Sequence, residues 1–187
     1  MRVRTSVGGR EVVLRMDGDV WDEGKAVLKV SDLTQPTHFT LRLRLPAWSA
    51  KTAVAVNGEP VSGGRPGTYL AVERDWRKGD VVSVSFDMRA HLVPAPRGSD
   101  RAGDAFAAVT RGPLVLARDE REDVRFAEPV RVLADGEGVV AATRVPRPDG
   151  RLAFRVPTEQ GEITLFDYAS VDCWHGTRIC TWLPQPK

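Results

Sequence analysis

Between Phe39 and Leu45 every second side chain is apolar, and that period leaves little room for anything but a strand. Phe39, Leu41, Leu43 and Leu45 alternate with Thr40, Arg42 and Arg44, the pattern of a strand with one buried face and one wet face. Such a strand needs neighbours, and the residues that follow supply them. An apolar run at residues 53–56 is followed by Asn57-Gly58, both of which tolerate the positive φ of a tight hairpin turn. Tyr69, Leu70 and Val72 lead to Trp76, and Lys78-Gly79-Asp80 turns the chain into Val82, Val84 and Phe86.

The rest of the chain reads the same way with weaker signals. Residues 11–16, 25–30, 88–93, 105–109 and 114–117 are predicted strands, and residues 130–133, 139–145, 152–156, 163–166 and 179–183 follow at spacings typical of sandwiches. The 17 glycines and 13 prolines are spread along the chain, and no apolar i, i+3, i+4, i+7 pattern is sustained long enough for a helix. The predicted fold is all-β, an antiparallel, jelly-roll-like β-sandwich arrangement of two consecutive small sandwiches. The proline- and glycine-rich residues 94–104 are the best linker candidate. They suggest a first sandwich over residues 1–112 and a second, smaller one over residues 113–187, with the boundary between 94 and 123. The charged run at residues 119–123 reads as a solvated loop.

Charge and cysteine content exclude several classes. Basic and acidic side chains are interspersed and nearly equal, 27 against 25, so no polyanionic partner such as nucleic acid is expected. Nothing approaches the roughly 18 consecutive apolar residues of a membrane span, and no apolar segment backs the early arginines as a secretory signal would require. Two cysteines do not make a disulfide framework, which points to a reducing, cytoplasmic compartment.

The chemical constellations are sparse. The acidic residues 17–24 invite a calcium reading, but an EF-hand loop needs an oxygen ligand where Trp21 stands and a glycine where Asp22 stands, so a solvated turn is the better reading. Cys173, His175 and Cys180 offer three soft donors, and a closed zinc site would need a fourth from Asp172, His38 or His91. Two unconnected thiols beside a hairpin are favoured over a metal site or a disulfide, and no metal or other cofactor is expected. Glu73, Asp75 and Asp80 are carboxylates of the kind glycosidases use in pairs, yet they sit among Arg74, Arg77 and Lys78, as a solvated edge would. Trp21, Trp48, Tyr69 and Trp76 could offer rings to a sugar or to a neighbouring domain. For Trp48 and Trp76 the favoured role is core and corner anchor, because tryptophan is mostly buried, and for Trp21 it is folding back over the sheet edge.

A set of turn motifs carries a resemblance. Leu43-Arg44-Leu45-Pro46-Ala47-Trp48, Val56-Asn57-Gly58-Glu59, Gly67-Thr68-Tyr69-Leu70, Arg74-Asp75-Trp76 with Gly79-Asp80, Met88, and Arg111-Gly112-Pro113-Leu114-Val115 follow in order. Together the sequence resembles the C-terminal β-sandwich region of glycoside hydrolase family 127, the β-L-arabinofuranosidase family. Val20-Trp21-Asp22 with Gly24 is similar to a tyrosine-proline-tryptophan turn of that family, and Tyr168, Gly176 and Trp182 loosely match its closing motif.

What the resemblance implies is mainly architectural. Members of the family carry their catalytic cysteine, zinc-binding thiolates and glutamate in a helical (α/α)6 barrel. Cys173 and Cys180 do not match the catalytic cysteine motif, so the resemblance gives them no catalytic or metal role. It implies a non-catalytic accessory region that packs on a catalytic barrel in cis or trans, contributes to homodimer contacts, and serves an enzyme of plant-type arabinose-containing glycans. Two other readings remain open: a free-standing carbohydrate-binding module and a protein-interaction sandwich.

Overall fold

The computed structural model describes residues 1–96, 106–171 and 176–186. The chain divides into two compact units, Met1–Met88 and Arg89–Lys187. Every sheet is antiparallel, and a single 3-10 turn, Tyr168–Ser170, is the only helical element among the described residues. None of their helices is long and apolar enough to cross a membrane.

The first unit contains β1 (Arg2–Val7), β2 (Arg10–Asp17), β3 (Lys25–Leu33), β4 (Thr37–Arg44), β5 (Ala53–Val56), β6 (Glu59–Pro60), β7 (Tyr69–Trp76) and β8 (Val81–Ser85). Six of these form a sheet in the order β1-β2-β3-β8-β5-β6, and β4 pairs with β7 in a separate two-stranded sheet. The alternation of β4 dictates how the sheets pack. Phe39, Leu41 and Leu43 meet a core of Val12, Val30, Val54, Val72, Trp76 and Val82, while His38, Thr40, Arg42 and Arg44 stay on the outer face. Burying each large apolar side chain contributes about 1.5–3 kcal/mol, so the unit is a sandwich held by one shared core. Its outermost strand, β1, was not expected from the sequence. Its residues are almost wholly exposed, and it adds to the sheet through backbone pairing with β2 rather than through burial.

The turns behave as their residues require. Asn57 takes φ 53° and Gly58 φ 87°, closing the β5–β6 hairpin with Val56 opposite Glu59. The Pro46-Ala47-Trp48 corner ends at Ser49, a fully buried residue whose Oγ accepts hydrogen bonds from Thr52 Oγ1 at 2.7 Å and from the backbone N of Asp87 at 2.8 Å.

The second unit contains β9 (Ala90–Pro94), β10 (Phe106–Arg111), β11 (Leu114–Asp119), β12 (Val139–Val140), β13 (Thr143–Val145), β14 (Ala153–Thr158), β15 (Gly161–Asp167), β16 (Ile179–Cys180) and β17 (Leu183–Pro184). The sheet runs β12-β9-β10-β11-β15-β14-β13, with β16 added on β11 and β17 on β10. Val132 bridges Thr158 and Ala134 bridges Val140, so residues 132–134 tie β12 to the end of β14 and the sheet curls around Val109, Leu116, Val140, Phe154 and Leu165.

The division therefore falls after residue 88 rather than at 112. β9 and β10 pair with each other and β10 pairs with β11, so backbone hydrogen bonding places both Ala90–Pro94 and Phe106–Arg111 in the second unit. Most of the expected linker, residues 97–104, lies outside the described residues.

Candidate functional site

The four aromatic residues separate into two classes. Trp76 is 0% exposed, stacks on Phe39 at 5.6 Å, and donates its indole N–H to the Phe39 carbonyl at 2.9 Å. It lies on the core face of β7, so it cannot offer a ring to a ligand, and that role is corrected. Trp48 is half-buried and tilts against Phe86 at 5.4 Å, as a corner anchor does. Tyr69 and Trp21 remain on the surface at 62% and 60% exposure. Trp21 does not fold back over the sheet. Its backbone N and that of Asp22 both donate to Asp19 Oδ1, at 3.0 and 2.8 Å, in the turn that carries this exposed residue. The Arg44 guanidinium lies 5.3 Å from the centre of the Tyr69 ring.

Two polar clusters occur in the first unit. On the outer face of the β4–β7 pair, His38 stands opposite Asp75 and diagonal to Glu73, with Nδ1 3.2 Å from Asp75 Oδ1 and Nε2 3.1 Å from Glu73 Oε1. Hydrogen bonds to Glu73 and Asp75, reinforced by their charge, raise the pKa of this exposed imidazole above its ordinary value.

The second cluster lines a cavity of about 730 Å³ formed by the β5–β6 hairpin, the end of β7 and the turn into β8. Asn57 Nδ2 donates to Asp80 Oδ1 at 2.9 Å, Asn57 Oδ1 accepts from the backbone N of Val81 at 2.8 Å, and Asp80 Oδ2 accepts from the backbone N of Arg77 at 2.8 Å. Burial pushes the Asp80 carboxyl up, but the Asn57 and Arg77 hydrogen bonds and the charges of Arg74 and Arg77 outweigh it, so the pKa falls below the usual carboxylate value. Arg74 is on the inward side of β7, over the Trp76 ring at 5.3 Å and 3.9 Å from Asp80.

In the second unit the charges are spent on structure. Arg118 and Asp119 are both 0% exposed, which corrects the reading of residues 119–123 as simply solvated. Arg118 donates to Asp123 Oδ2 at 2.6 Å and to the carbonyls of Glu128 and Arg125. Asp119 accepts from Arg121 and from Arg151 Nη1 at 3.2 Å. Its burial raises the carboxyl pKa, but these partners outweigh that effect and hold it low. The Phe166 ring lies 4.5 Å from the Arg151 guanidinium and 5.5 Å from that of Arg147. A charged run could not announce this network, because its partners come from β11, the loop after it and the turn before β14.

Cys180 is half-buried, its thiol donates to the Trp182 carbonyl at 3.0 Å, and burial pushes its pKa up. That is the behaviour of a packed thiol rather than an activated one. Cys173, His175 and Asp172 lie outside the described residues. Among those described, no group of histidine, cysteine and carboxylate side chains is arranged to hold a metal ion.

Residues 1–88 match the family model of the middle domain of GH127 β-L-arabinofuranosidases. The matched segment has the same bounds as the first compact unit. The model that matches these residues is that of a middle domain, not of the C-terminal region that the sequence resemblance suggested. Among solved structures the chain aligns with a glycoside hydrolase at TM-score 0.79 and 23% identity, covering 100% of this chain and 34% of that one. It aligns with a GH127 β-L-arabinofuranosidase from Geobacillus stearothermophilus T6 at TM-score 0.79 and 21% identity, covering 99% and 32%. A GH127 β-arabinofuranosidase gives TM-score 0.76 and 23% identity, covering 99% and 33%. The chain thus spans about one third of the length of these structures, and at such identities the likeness shows the fold. No curated protein matches the sequence.

Proposed function

We propose that this chain is a non-catalytic β-sandwich region of a GH127-type β-L-arabinofuranosidase, supporting a helical catalytic barrel supplied in cis or in trans. The observation that carries the reading is the family match over residues 1–88, coextensive with one folded unit. The carboxylates that the sequence singles out are tied into the fold, Asp80 to Asn57 and the Arg77 backbone, and Asp75 and Glu73 to His38. The assembled enzyme would act on arabinose-containing glycans, and homodimer contacts belong to the same proposal.

The test is hydrolysis of an aryl β-L-arabinofuranoside by the purified 187-residue chain. The expected result is release no faster than in buffer, and turnover by the chain alone would overturn the proposal. A sugar-contacting role is the second reading, favoured by the exposure of Trp21 and Tyr69. Stacking of a sugar on Trp21 would shift its fluorescence, and this shift would vanish in Trp21→Ala.

A further inference from the structure

The cavity of the first unit has an unusual construction. On β7, Leu70, Val72 and Trp76 face the core, and Arg74 occupies the same side of the strand, so a guanidinium enters the mouth of the sandwich where the pattern calls for an apolar residue. Val56, Val61 and Val72 line the cavity beside it. The inner polar groups are fixed, because Asn57, Asp80 and the Arg77 backbone bind one another. The outer ones are not: among the described residues, the Arg77 guanidinium and the Glu59 carboxylate have no hydrogen-bond or ion-pair partner, and both are exposed. A rigid polar base, an apolar wall and uncommitted donors and acceptors at the rim make up the construction of a small-molecule site, and the volume lies in the usual range of roughly 300–1,000 Å³.

The lining also selects a ligand class. Arg74 and Arg77 are matched by Glu59, Asp75 and Asp80, so no strong field of one sign would draw in an anion or a cation. Donors of Arg74 and Arg77 and acceptors of Glu59, Asp75 and Asp80 line the cavity together with Pro60 and Val61, which suits a molecule with hydroxyl groups along its edges and C–H groups on its face. We propose that this cavity binds a neutral polyhydroxylated ligand, a sugar unit, with Arg77 and Arg74 donating to its oxygens and Glu59 accepting from its hydroxyls. This site is separate from the exposed rings of Trp21 and Tyr69 and does not depend on the presence of a catalytic barrel.

Backbone amide NMR of the full chain, titrated with L-arabinose, with short arabino-oligosaccharides and with a glucose disaccharide, tests the proposal. The expected result is saturable binding with Kd on the order of 1 mM and shifts centred on residues 56–61 and 72–80. Arg77→Ala and Glu59→Ala alter exposed side chains, so both should keep the melting temperature, and each should weaken binding by about tenfold. Four results would overturn the proposal: no saturable shift with any sugar, which leaves Arg74 as a charge that guards a strand edge; shifts confined to the surroundings of Trp21 or Tyr69; affinity unchanged in both variants; or displacement by inorganic sulfate with a steep salt dependence, which marks an anion site. Because none of these readouts involves hydrolysis, failure here leaves the proposed accessory role to its own test.

Discussion

Asn57 and Asp80 join two turns that lie 23 residues apart, with Asn57 Nδ2 2.9 Å from Asp80 Oδ1. Each residue shapes its own turn as well as the link, because Asn57 holds φ 53° and Asp80 accepts from the backbone N of Arg77.

Asn57→Ala removes the bonds to Asp80 and to the backbone N of Val81 and places a residue without a favourable left-handed conformation at φ 53°. A loss of about 2–3 kcal/mol is expected. Asn57→Gly forfeits the same bonds but keeps the backbone relaxed, so it should lose less. Urea unfolding of the two variants checks the order, and an equal loss would mean that the turn conformation contributes nothing.

Trp76→Phe leaves the Phe39 carbonyl without its indole donor and opens space in the core, at an expected cost of about 1–3 kcal/mol. Trp21→Ala, at a position 60% exposed, should change stability by less than about 0.5 kcal/mol. Thermal melts of the pair separate the buried tryptophan from the surface one.

Because Glu73 and Asp75 raise the His38 pKa above 6.5 in the folded state, the ion-paired imidazolium stabilises the fold below that pH while the carboxylates remain ionised. This contribution fades as the pH rises through the raised folded value. The melting-temperature gap between the native chain and His38→Gln should therefore be larger near about pH 6 than near about pH 9. The site is exposed, so added salt should narrow the gap further. A gap that widened with pH would contradict the arrangement.

The Arg151 hydrogen bond, followed by the Arg151 backbone and Arg147, brings the Asp149 carboxyl down to about 2. Its stabilising effect is complete above the ordinary value of 3.8 and is lost as the pH falls through about 2. Carboxyl NMR should find this low midpoint in the native chain and a rise toward the ordinary value in Arg151→Gln. The same substitution deprives buried Asp119 of one donor, so it should also destabilise by about 1–2 kcal/mol.

Gly24 takes φ 68°, and a Cβ there would lie 2.3 Å from the Met88 side chain. Gly24→Ala should destabilise by at least about 1 kcal/mol, and shortening the obstacle in Gly24→Ala/Met88→Ala should not restore the whole loss, since the backbone strain remains. Denaturant midpoints of the single and double variants check this.

Much of the first unit was legible because its determinants are local. The alternation of Phe39, Leu41 and Leu43 sets the inward face of β4, and Asn57-Gly58 sets the hairpin, each through the conformation of a few adjacent residues. β1 carries no apolar alternation to reveal it, because it buries almost nothing. The fate of the tryptophans was only half readable: Trp76 follows the inward parity of β7, but nothing adjacent to Trp21 says whether its ring returns to the sheet or, as observed, stays outside on an Asp19-capped turn.

By itself the sequence determined an all-β chain and the places of its sharp turns, because strand period and positive φ are properties of neighbouring residues. Only the tertiary structure decided where the units divide, that Arg118 and Asp119 are interior, and that Arg74, Arg77, Glu59 and Asp80 surround one cavity. Pairing across sheets brings together residues far apart in the chain, and a charge in the sequence looks the same whether it will meet water or a partner. The desolvation and hydrogen bonding that distinguish those outcomes arise only when the strands are assembled.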